Sequence, residues 1–318
     1  MVKFLKRNGL YVAIYSVLIV LVVVGTFFDL EISKAIATVN GEKYFSSSFF
    51  AAVVECFGEI PVYIFPSFAL CSFIVYFGKK FDGAKKVLLT ILFATVLVGL
   101  NYYAGTRIVS ASNPYFGLKE YAKGFAGVIF YLLFSLFFSL CYYLLTKKMT
   151  KNLSDEKLKS LAICSLIVVL TAALSQIITQ GSKSIFNRAR YRYMLFAGKQ
   201  GYDGLELFTP WYVANSNPKI PAGIKELVES GVYRSFPSGH ATASFMLLSL
   251  TLLPFVYQNL DNKKNKIIIW CVVLVLQTFV SVMRIVAGAH FLTDVCFGSL
   301  ITLTAFLIFR SIFVKKLA

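Results

Sequence analysis

Histidine is scarce in this sequence, which has two histidines among 318 residues. Charged residues are scarce as well: they make up 15% of the chain, against about a quarter in soluble domains. Apolar residues make up 58%, which excludes a disordered chain and disfavours a water-soluble globule. The six cysteines form no C-x-x-C pair and fall in or beside apolar runs, so we expect neither a disulfide framework nor a cysteine metal site.

Acidic residues are fewer than basic ones, 15 against 32, and the formal net charge is +17. In a soluble protein this excess would indicate a nucleic-acid partner. In a membrane protein it has another cause, because basic residues gather in cytoplasmic loops. We therefore expect a lipid bilayer as the partner and no nucleic acid, while the oligomeric state stays open.

Eight apolar segments are long enough to cross a bilayer, which requires roughly 20 apolar residues in a helix. The second contains Glu55 and Glu59, one helical turn apart, and is expected to bend or break at Pro61 and Pro66. The sequence thus predicts an all-α, polytopic membrane bundle of about eight helices, of which six could form a core. The predicted spans are Leu10–Phe28, Phe49–Phe77, Val87–Ala104, Phe125–Thr146, Leu161–Gln180, Ala241–Leu260, Ile267–Met283 and Phe291–Phe313.

Basic residues between the spans predict the orientation. Eighteen lie at the two chain ends and in alternate connections, whereas the two short connections on the other side hold five: Lys34, Lys43, Arg107, Lys119 and Lys123. Both termini are therefore expected in the cytoplasm, in a cell-membrane protein. The first apolar run has 19 residues, longer than the core of a signal peptide, so we interpret it as a retained span.

The long connection 181–237 is predicted to lie outside the cytoplasm, and it is basic and aromatic. It could anchor the chain to anionic headgroups, but it begins with a K-x6-R pair, Lys183 and Arg190. If this segment is helical, seven residues make two turns, so both cations would share a face and could hold one anion. Arg188 and Arg192 would point elsewhere, either to headgroups or to a second phosphate.

A second motif, Pro237-Ser238-Gly239-His240, comes directly before the sixth span. Proline and serine are typical of a helix start, and glycine permits a ligand to approach the backbone. The first turn would then offer backbone N–H groups to an anion. An ordinary N-terminal cap with an interfacial histidine is the alternative.

A third motif, from Arg284 to Asp294, spans the junction of the last two spans. His290 and Asp294 are four residues apart, so in a helix their side chains would meet. A carboxylate beside one imidazole nitrogen makes the other a better base, nucleophile or metal ligand. The predicted topology brings all three motifs, with both histidines, to the same membrane face, although a polar pair capping the last span would also explain His290.

In order and spacing, these motifs resemble the type 2 phosphatidic acid phosphatase superfamily, which includes membrane lipid phosphatases, glucose-6-phosphatase and vanadium haloperoxidases. The resemblance covers about residues 161–313. Two positions depart from the family pattern: Tyr191 stands where a proline usually follows the arginine, and Met283 where a serine usually precedes the second arginine. The resemblance divides the chain into N-terminal spans of unassigned role, 1–160, and a catalytic membrane domain, 161–318.

The resemblance implies metal-independent phosphate hydrolysis without a cofactor. His290, oriented by Asp294, would attack phosphorus and form a phosphohistidine, and His240 would protonate the leaving oxygen and then activate water. No metal is expected, because Asp294 is the only carboxylate within the three motifs. The residues that would bind phosphate are Lys183, Arg190, Ser238, Gly239 and Arg284.

An extracytoplasmic site at the membrane surface favours a lipid phosphomonoester or diphosphate as substrate. Phosphatidic acid, phosphatidylglycerophosphate, undecaprenyl diphosphate and a lipid A phosphate all meet this description. A lipid phosphotransferase would use the same residues. A transporter is a further alternative, although it would require more polar residues at mid-span than the sequence contains.

Overall fold

The computed structural model of the protein describes residues 2–117, 123–216, 218, 220, 222–225 and 231–316, without the side chains of residues 2–8, 222 and 316. Lys119 therefore lies outside the described residues. All regular structure in the described part is helical, and the expected all-α class is confirmed. The α-helices are α1 Val2–Ile36, α2 Phe49–Phe57, α3 Pro61–Lys80, α4 Gly83–Phe116, α5 Gly124–Thr150, α6 Asp155–Phe186, α7 Tyr191–Lys199, α8 Gly239–Ser244, α9 Leu253–Val256, α10 Lys263–Val286 and α11 Leu292–Phe313.

Eight helical segments in the described residues are long and apolar enough to cross a membrane, as the sequence predicts. Each contains most or all of one predicted span. Which end of the chain lies on which side stays a prediction. The eight segments are Gly9–Ile36, Phe49–Lys80, Gly83–Phe116, Gly124–Thr150, Asp155–Lys199, Gly239–Val256, Lys263–Val286 and Leu292–Phe313.

The second segment breaks as expected, just before Pro61. The Ser48 hydroxyl caps the start of α2 by accepting the Ala51 N–H at 3.4 Å. At the other end, the N–H of Gly58 donates to the Val54 carbonyl, and α3 then starts with Pro61, whose missing N–H costs nothing at a helix start. Pro66, the other expected break point, lies inside α3, which continues to Lys80.

The sixth segment differs from a regular α-helix. It begins as α8, continues as a 3₁₀-helix over Phe245–Leu252 and ends as α9. Pro254 has no N–H to donate to the Leu250 carbonyl, and the N–H of Leu253 donates there instead. The predicted end at Leu260 is four residues beyond α9.

The connection 181–237 is more structured than the sequence indicates. Helix α6 extends into it as far as Phe186, and α7 lies within it. Tyr191, Tyr193 and Met194 of α7 are buried in a cluster with Val232 and Phe291. Much of this connection is therefore packed protein rather than a headgroup anchor. Lys219 lies outside the described residues.

The chain divides into two compact units that do not follow chain order. One contains Met1–Gly58, Ser175–Thr242 and Gln277–Thr304, and the other contains Glu59–Leu174, Ala243–Leu276 and Ala305–Ala318. In the second unit, the Asn101 amide donates to hydroxyls of Ser67 and Ser139 and so connects α3, α4 and α5. All three motifs lie in the first unit. Assignment of function to residues 1–160 and 161–318 stays a prediction.

Candidate active site

Backbone hydrogen bonds join the three motifs within the first unit. The N–H of Ser235, just before the second motif, donates to the Arg188 carbonyl at 3.1 Å. The N–H of Arg192 donates to the Gly288 carbonyl at 2.8 Å, and the N–H of Ser238 donates to the Asp294 carbonyl at 2.9 Å. The motifs thus lie together as expected, whereas their position at one membrane face stays a prediction. The Ser238 N–H itself is committed to this frame, so it does not serve as the expected phosphate donor.

His290 lies in the turn between α10 and α11 rather than in a helix with Asp294. Helix α10 ends at Val286, and Gly288 then adopts a left-handed conformation with φ of +61°. The N–H groups of Ala289 and His290 both donate to the Arg284 carbonyl, at 3.1 and 3.3 Å. The expected helix through both residues is therefore wrong, because α11 begins only at Leu292, but their side chains do lie beside each other as expected.

A backbone carbonyl, not the expected carboxylate, is the nearest partner of the His290 ring. Nδ1 lies 2.6 Å from the Ser235 carbonyl oxygen, whereas the nearest Asp294 oxygen is 3.8 Å away. A carbonyl can only accept a hydrogen bond, so Nδ1 carries the proton and Nε2 has the lone pair.

Asp294 instead supports the frame around His290. Its Oδ2 accepts from the Ser235 hydroxyl at 2.5 Å and from the Phe291 N–H at 2.8 Å. These two contacts hold Ser235, whose carbonyl accepts the His290 hydrogen bond, and Phe291, which follows His290 in the chain. Asp294 thus orients the imidazole mainly through Ser235 and the adjoining turn.

Arg188 is buried beside Asp294 and is not available to headgroups or to a second phosphate. Its side chain is 1% exposed and pairs with Asp294 at 2.7 Å and with Asp29 at 3.0 Å. Its Nε donates to the Thr209 carbonyl. Both expectations for this arginine are wrong, because two carboxylates and a carbonyl already hold its guanidinium.

A second buried carboxylate, Glu55, bridges two arginines. Its oxygens lie 3.0 and 3.2 Å from Arg192 and 2.7 and 3.3 Å from Arg284. Arg192 is fully buried and so does not extend to headgroups. The expectation that Glu55 and Glu59 lie one turn apart on the same helix is wrong, because α2 ends at Phe57; Glu59 pairs with Arg107 at 3.1 Å.

The second motif starts a helix as predicted. Helix α8 begins at Gly239, and the Ser238 hydroxyl accepts the Ala241 N–H at 3.3 Å. His240 is 8% exposed, and its Nε2 lies 3.2 Å from the Glu55 carbonyl oxygen. Since that oxygen can only accept, Nε2 of His240 carries a proton.

The K-x6-R segment is not one continuous helix. Lys183 is buried in the last turn of α6, Asn187 has a φ of +39°, and Arg190 immediately precedes α7. The two-turn geometry expected for Lys183 and Arg190 is therefore wrong. Arg190 nevertheless lies close enough to His290 for its charge to act on the imidazole.

His290 is electrically neutral at physiological pH. Burial, with the positive charges of Arg284 and Arg190, lowers the pKa of the imidazole from its usual 6.5 to about 3, although Asp294 opposes the shift. A buried neutral imidazole with its lone pair on Nε2, near two guanidinium groups, can attack an electrophile that carries negative charge.

No group of three His, Cys, Asp or Glu side chains in the described part of the chain is placed to share a metal ion. Asp29 and Glu55, two buried carboxylates outside the motifs, are bonded to arginines. The positive charge near His290 therefore comes from the side chains of Arg284 and Arg190. Independence from metal stays a prediction.

Comparison with known families agrees with this arrangement. The model of the PAP2 superfamily, the type 2 phosphatidic acid phosphatases, matches residues 164–317. This segment, just under half of the chain, belongs to the PAP2 superfamily. The chain has no match among curated proteins or solved structures. Membership in the PAP2 superfamily points to phosphatase activity in a helical membrane protein.

The two departures from the PAP2 pattern have different surroundings. Tyr191 is buried, starts α7 and packs edge-on against Phe291, with ring centroids 6.3 Å apart. It therefore adds contact beside the His290 turn where a proline would contribute a rigid backbone. Met283 is half-buried in α10, next to Arg284.

Proposed function

We propose that the protein is a membrane lipid phosphatase that hydrolyses a phosphomonoester or diphosphate through a phosphohistidine on His290. The orientation of this imidazole is the observation that carries the proposal. Its Nδ1–H is held by the Ser235 carbonyl at 2.6 Å, and burial keeps the ring neutral. The Nε2 lone pair is thus available for attack on phosphorus.

Arg284 supports a phosphate beside this nucleophile. Its terminal nitrogens bond to Glu55, but its Nε is buried without a hydrogen-bond partner among the described residues. A buried N–H without an acceptor costs about 1–3 kcal/mol. A phosphate oxygen is a suitable acceptor, and its charge would be stabilised by the guanidinium. Arg190, Lys183, Gly239 and the Ser238 hydroxyl are the other proposed contacts.

The proposed reaction has two steps. In the first, Nε2 of His290 forms a bond to phosphorus while the bond to the leaving oxygen breaks, and His240 in its cationic form gives that oxygen a proton. In the second, His240 takes a proton from water, which attacks phosphorus, and the bond between phosphorus and His290 breaks. Both histidines return to their starting states, and inorganic phosphate is released.

The eight apolar segments support a lipid substrate. A lipid tail can remain in the hydrocarbon while the phosphate reaches motifs at the ends of helices. We place the site at the extracytoplasmic face of the cell membrane, on the basis of the basic residues in the opposite connections. The phosphate group, not a particular lipid, is the recognised element in this proposal.

Phosphate release by the purified protein in detergent micelles tests the proposal. The panel consists of phosphatidic acid, phosphatidylglycerophosphate, undecaprenyl diphosphate, a lipid A phosphate and a soluble aryl phosphate. We expect at least one lipid to be hydrolysed with a kcat/KM at least about tenfold above that of the soluble ester. Monodisperse wild-type protein that releases no phosphate from any lipid would contradict the proposal. Transfer of the phosphate to a second lipid, instead of its release as inorganic phosphate, would identify a phosphotransferase.

A further inference from the structure

Asp29 lies on α1, far outside the 164–317 segment that matches the PAP2 superfamily, yet it contacts the segment that carries Asp294. Its Oδ2 lies 3.0 Å from Arg188, and its Oδ1 accepts the Thr293 N–H at 3.0 Å. The Thr293 hydroxyl also donates to Asp29. The carboxylate is 3% exposed. Because burying a charge within a membrane span is costly, a carboxylate in this position tends to have a role in structure or function.

The contact with Thr293 places Asp29 at the start of α11. Thr293 is the second residue of that helix, where backbone N–H groups have no partner within the helix. Asp29 therefore serves as a capping carboxylate supplied by a different helix. This contact fixes the first turn of α11, which carries Asp294.

The contact with Arg188 extends the same chain of bonds to the proposed nucleophile. Arg188 lies between Asp29 and Asp294, at 3.0 and 2.7 Å, and the Thr293 hydroxyl accepts from Arg188 at 2.9 Å. Asp294 in turn holds the Ser235 hydroxyl at 2.5 Å. The Ser235 carbonyl then fixes the His290 ring.

We propose that Asp29 is a positioning residue for phosphoryl transfer, acting through Arg188 and Thr293 on Asp294 and thereby on His290. The proposal rests on the lipid phosphatase function proposed above. It makes the first membrane span part of the catalytic unit. Asp29 touches neither the reacting phosphorus nor the leaving group in this account, so its loss affects kcat more than KM.

The test compares wild type with Asp29→Asn and Glu31→Gln, assayed in detergent with the best substrate of the lipid panel. Asparagine keeps the shape of Asp29 and removes its charge. Glu31 lies two residues further along α1 and is exposed, so Glu31→Gln is a matched control. We expect Asp29→Asn to lower kcat about 10- to 100-fold with KM within about twofold, as for lost supporting contacts at other active sites. Glu31→Gln should retain wild-type values.

A double-mutant cycle separates positioning from a general loss of structure. Arg188→Gln alone should lower kcat at least as much as Asp29→Asn, and the double variant should be no more than about twofold slower than Arg188→Gln. If the losses in kcat instead multiply, Asp29 does not act through Arg188. If Asp29→Asn has wild-type kcat, or raises KM alone, the inference is wrong while the proposed function stands.

Thr293→Val provides a second test should Asp29→Asn fail to fold. Valine has the shape of threonine but removes the hydroxyl that joins Asp29 and Arg188. We expect kcat to fall about 3- to 10-fold, with KM unchanged. Wild-type kcat in this variant would overturn the inference. Inactivity of folded wild type on every lipid would overturn the proposed function itself.

Discussion

The Nδ1 atom of His290 lies 2.6 Å from the backbone carbonyl oxygen of Ser235, which is 55 residues earlier in the chain. This bond determines which ring nitrogen carries the proton. It also explains how Asp294 can support the imidazole from 3.8 Å away, because the carboxylate holds Ser235 through its hydroxyl.

Replacing Ser235 by alanine should therefore slow the reaction. The carbonyl stays in place because the Ser235 N–H donates to Arg188, but Asp294 loses a hydrogen bond of 2.5 Å. A bond to a charged group is worth about 1.5–3 kcal/mol, so we expect kcat to fall about tenfold or more. Ser184→Ala, which removes an exposed hydroxyl on α6, is the control. Equal kcat values in the two variants would show that the Ser235 hydroxyl is dispensable.

The low pKa of His290 predicts a loss of stability in acid. The unfolded chain binds a proton at His290 as the pH falls below about 6.5, whereas the folded chain does so only near 3. Stability should therefore decrease between these values, by up to about 1.4 kcal/mol per pH unit. We expect the unfolding temperature of wild type in detergent to fall more steeply from pH 6.5 to 4 than that of His290→Gln. Parallel curves would mean that His290 is not buried in its neutral form.

Gly288 should not tolerate a side chain. Its φ is +61°, and an added Cβ would lie 2.7 Å from Val39 Cγ2 and 3.2 Å from the Arg192 backbone nitrogen. Gly117 has a φ of +63° with nothing within 4 Å among the described residues, so Gly117→Ala measures the backbone cost alone, about 1–2 kcal/mol. We expect Gly288→Ala to lose more stability than Gly117→Ala and to lower kcat by displacing the His290 turn. Similar stability and activity in the two variants would contradict this.

The membrane spans could be predicted from sequence because each depends on a local run of apolar residues. The start of α8 at Gly239 could also be predicted from local sequence, since Ser238 and Gly239 are typical of a helix start. The break at Asn187 and the turn at His290 could not be predicted in this way, because backbone bonds to distant segments stabilise them. A helical spacing rule therefore predicts the wrong backbone for both K-x6-R and His290–Asp294, although the His290 and Asp294 side chains do lie 3.8 Å apart.

The buried carboxylates could not be assigned from sequence for a related reason. Asp29 and Arg188 are 159 residues apart, and Glu55 and Arg284 are 229 apart. Nothing in their spacing indicates these pairs. A carboxylate at the end of an apolar run was an available signal, because a buried charge needs a partner. That signal indicates that Asp29 and Glu55 each have a partner, but it does not identify the arginines with which they pair.

Chelation should leave the activity unchanged, because Arg190, Arg284 and Lys183 are proposed to supply the positive charge that a metal would otherwise provide. We expect the same kcat in EDTA as in buffer, with a metal-dependent phosphatase as the control that loses activity. Vanadate should inhibit, because it can adopt the five-coordinate geometry of phosphoryl transfer. Inactivation by EDTA that added divalent metal reverses would contradict the metal-independent mechanism.

A phosphohistidine on His290 is the central claim, and the presence of two histidines in the chain makes it directly testable. Protein quenched during turnover of a ³²P-labelled lipid phosphate should carry acid-labile, alkali-stable label, with the phosphoryl group on Nε2 of His290. His290→Ala should carry none and release no phosphate, although it elutes from a sizing column as wild type does. His240→Ala should also lose turnover while its His290 remains available for labelling. Label or near-wild-type phosphate release in His290→Ala would contradict the account.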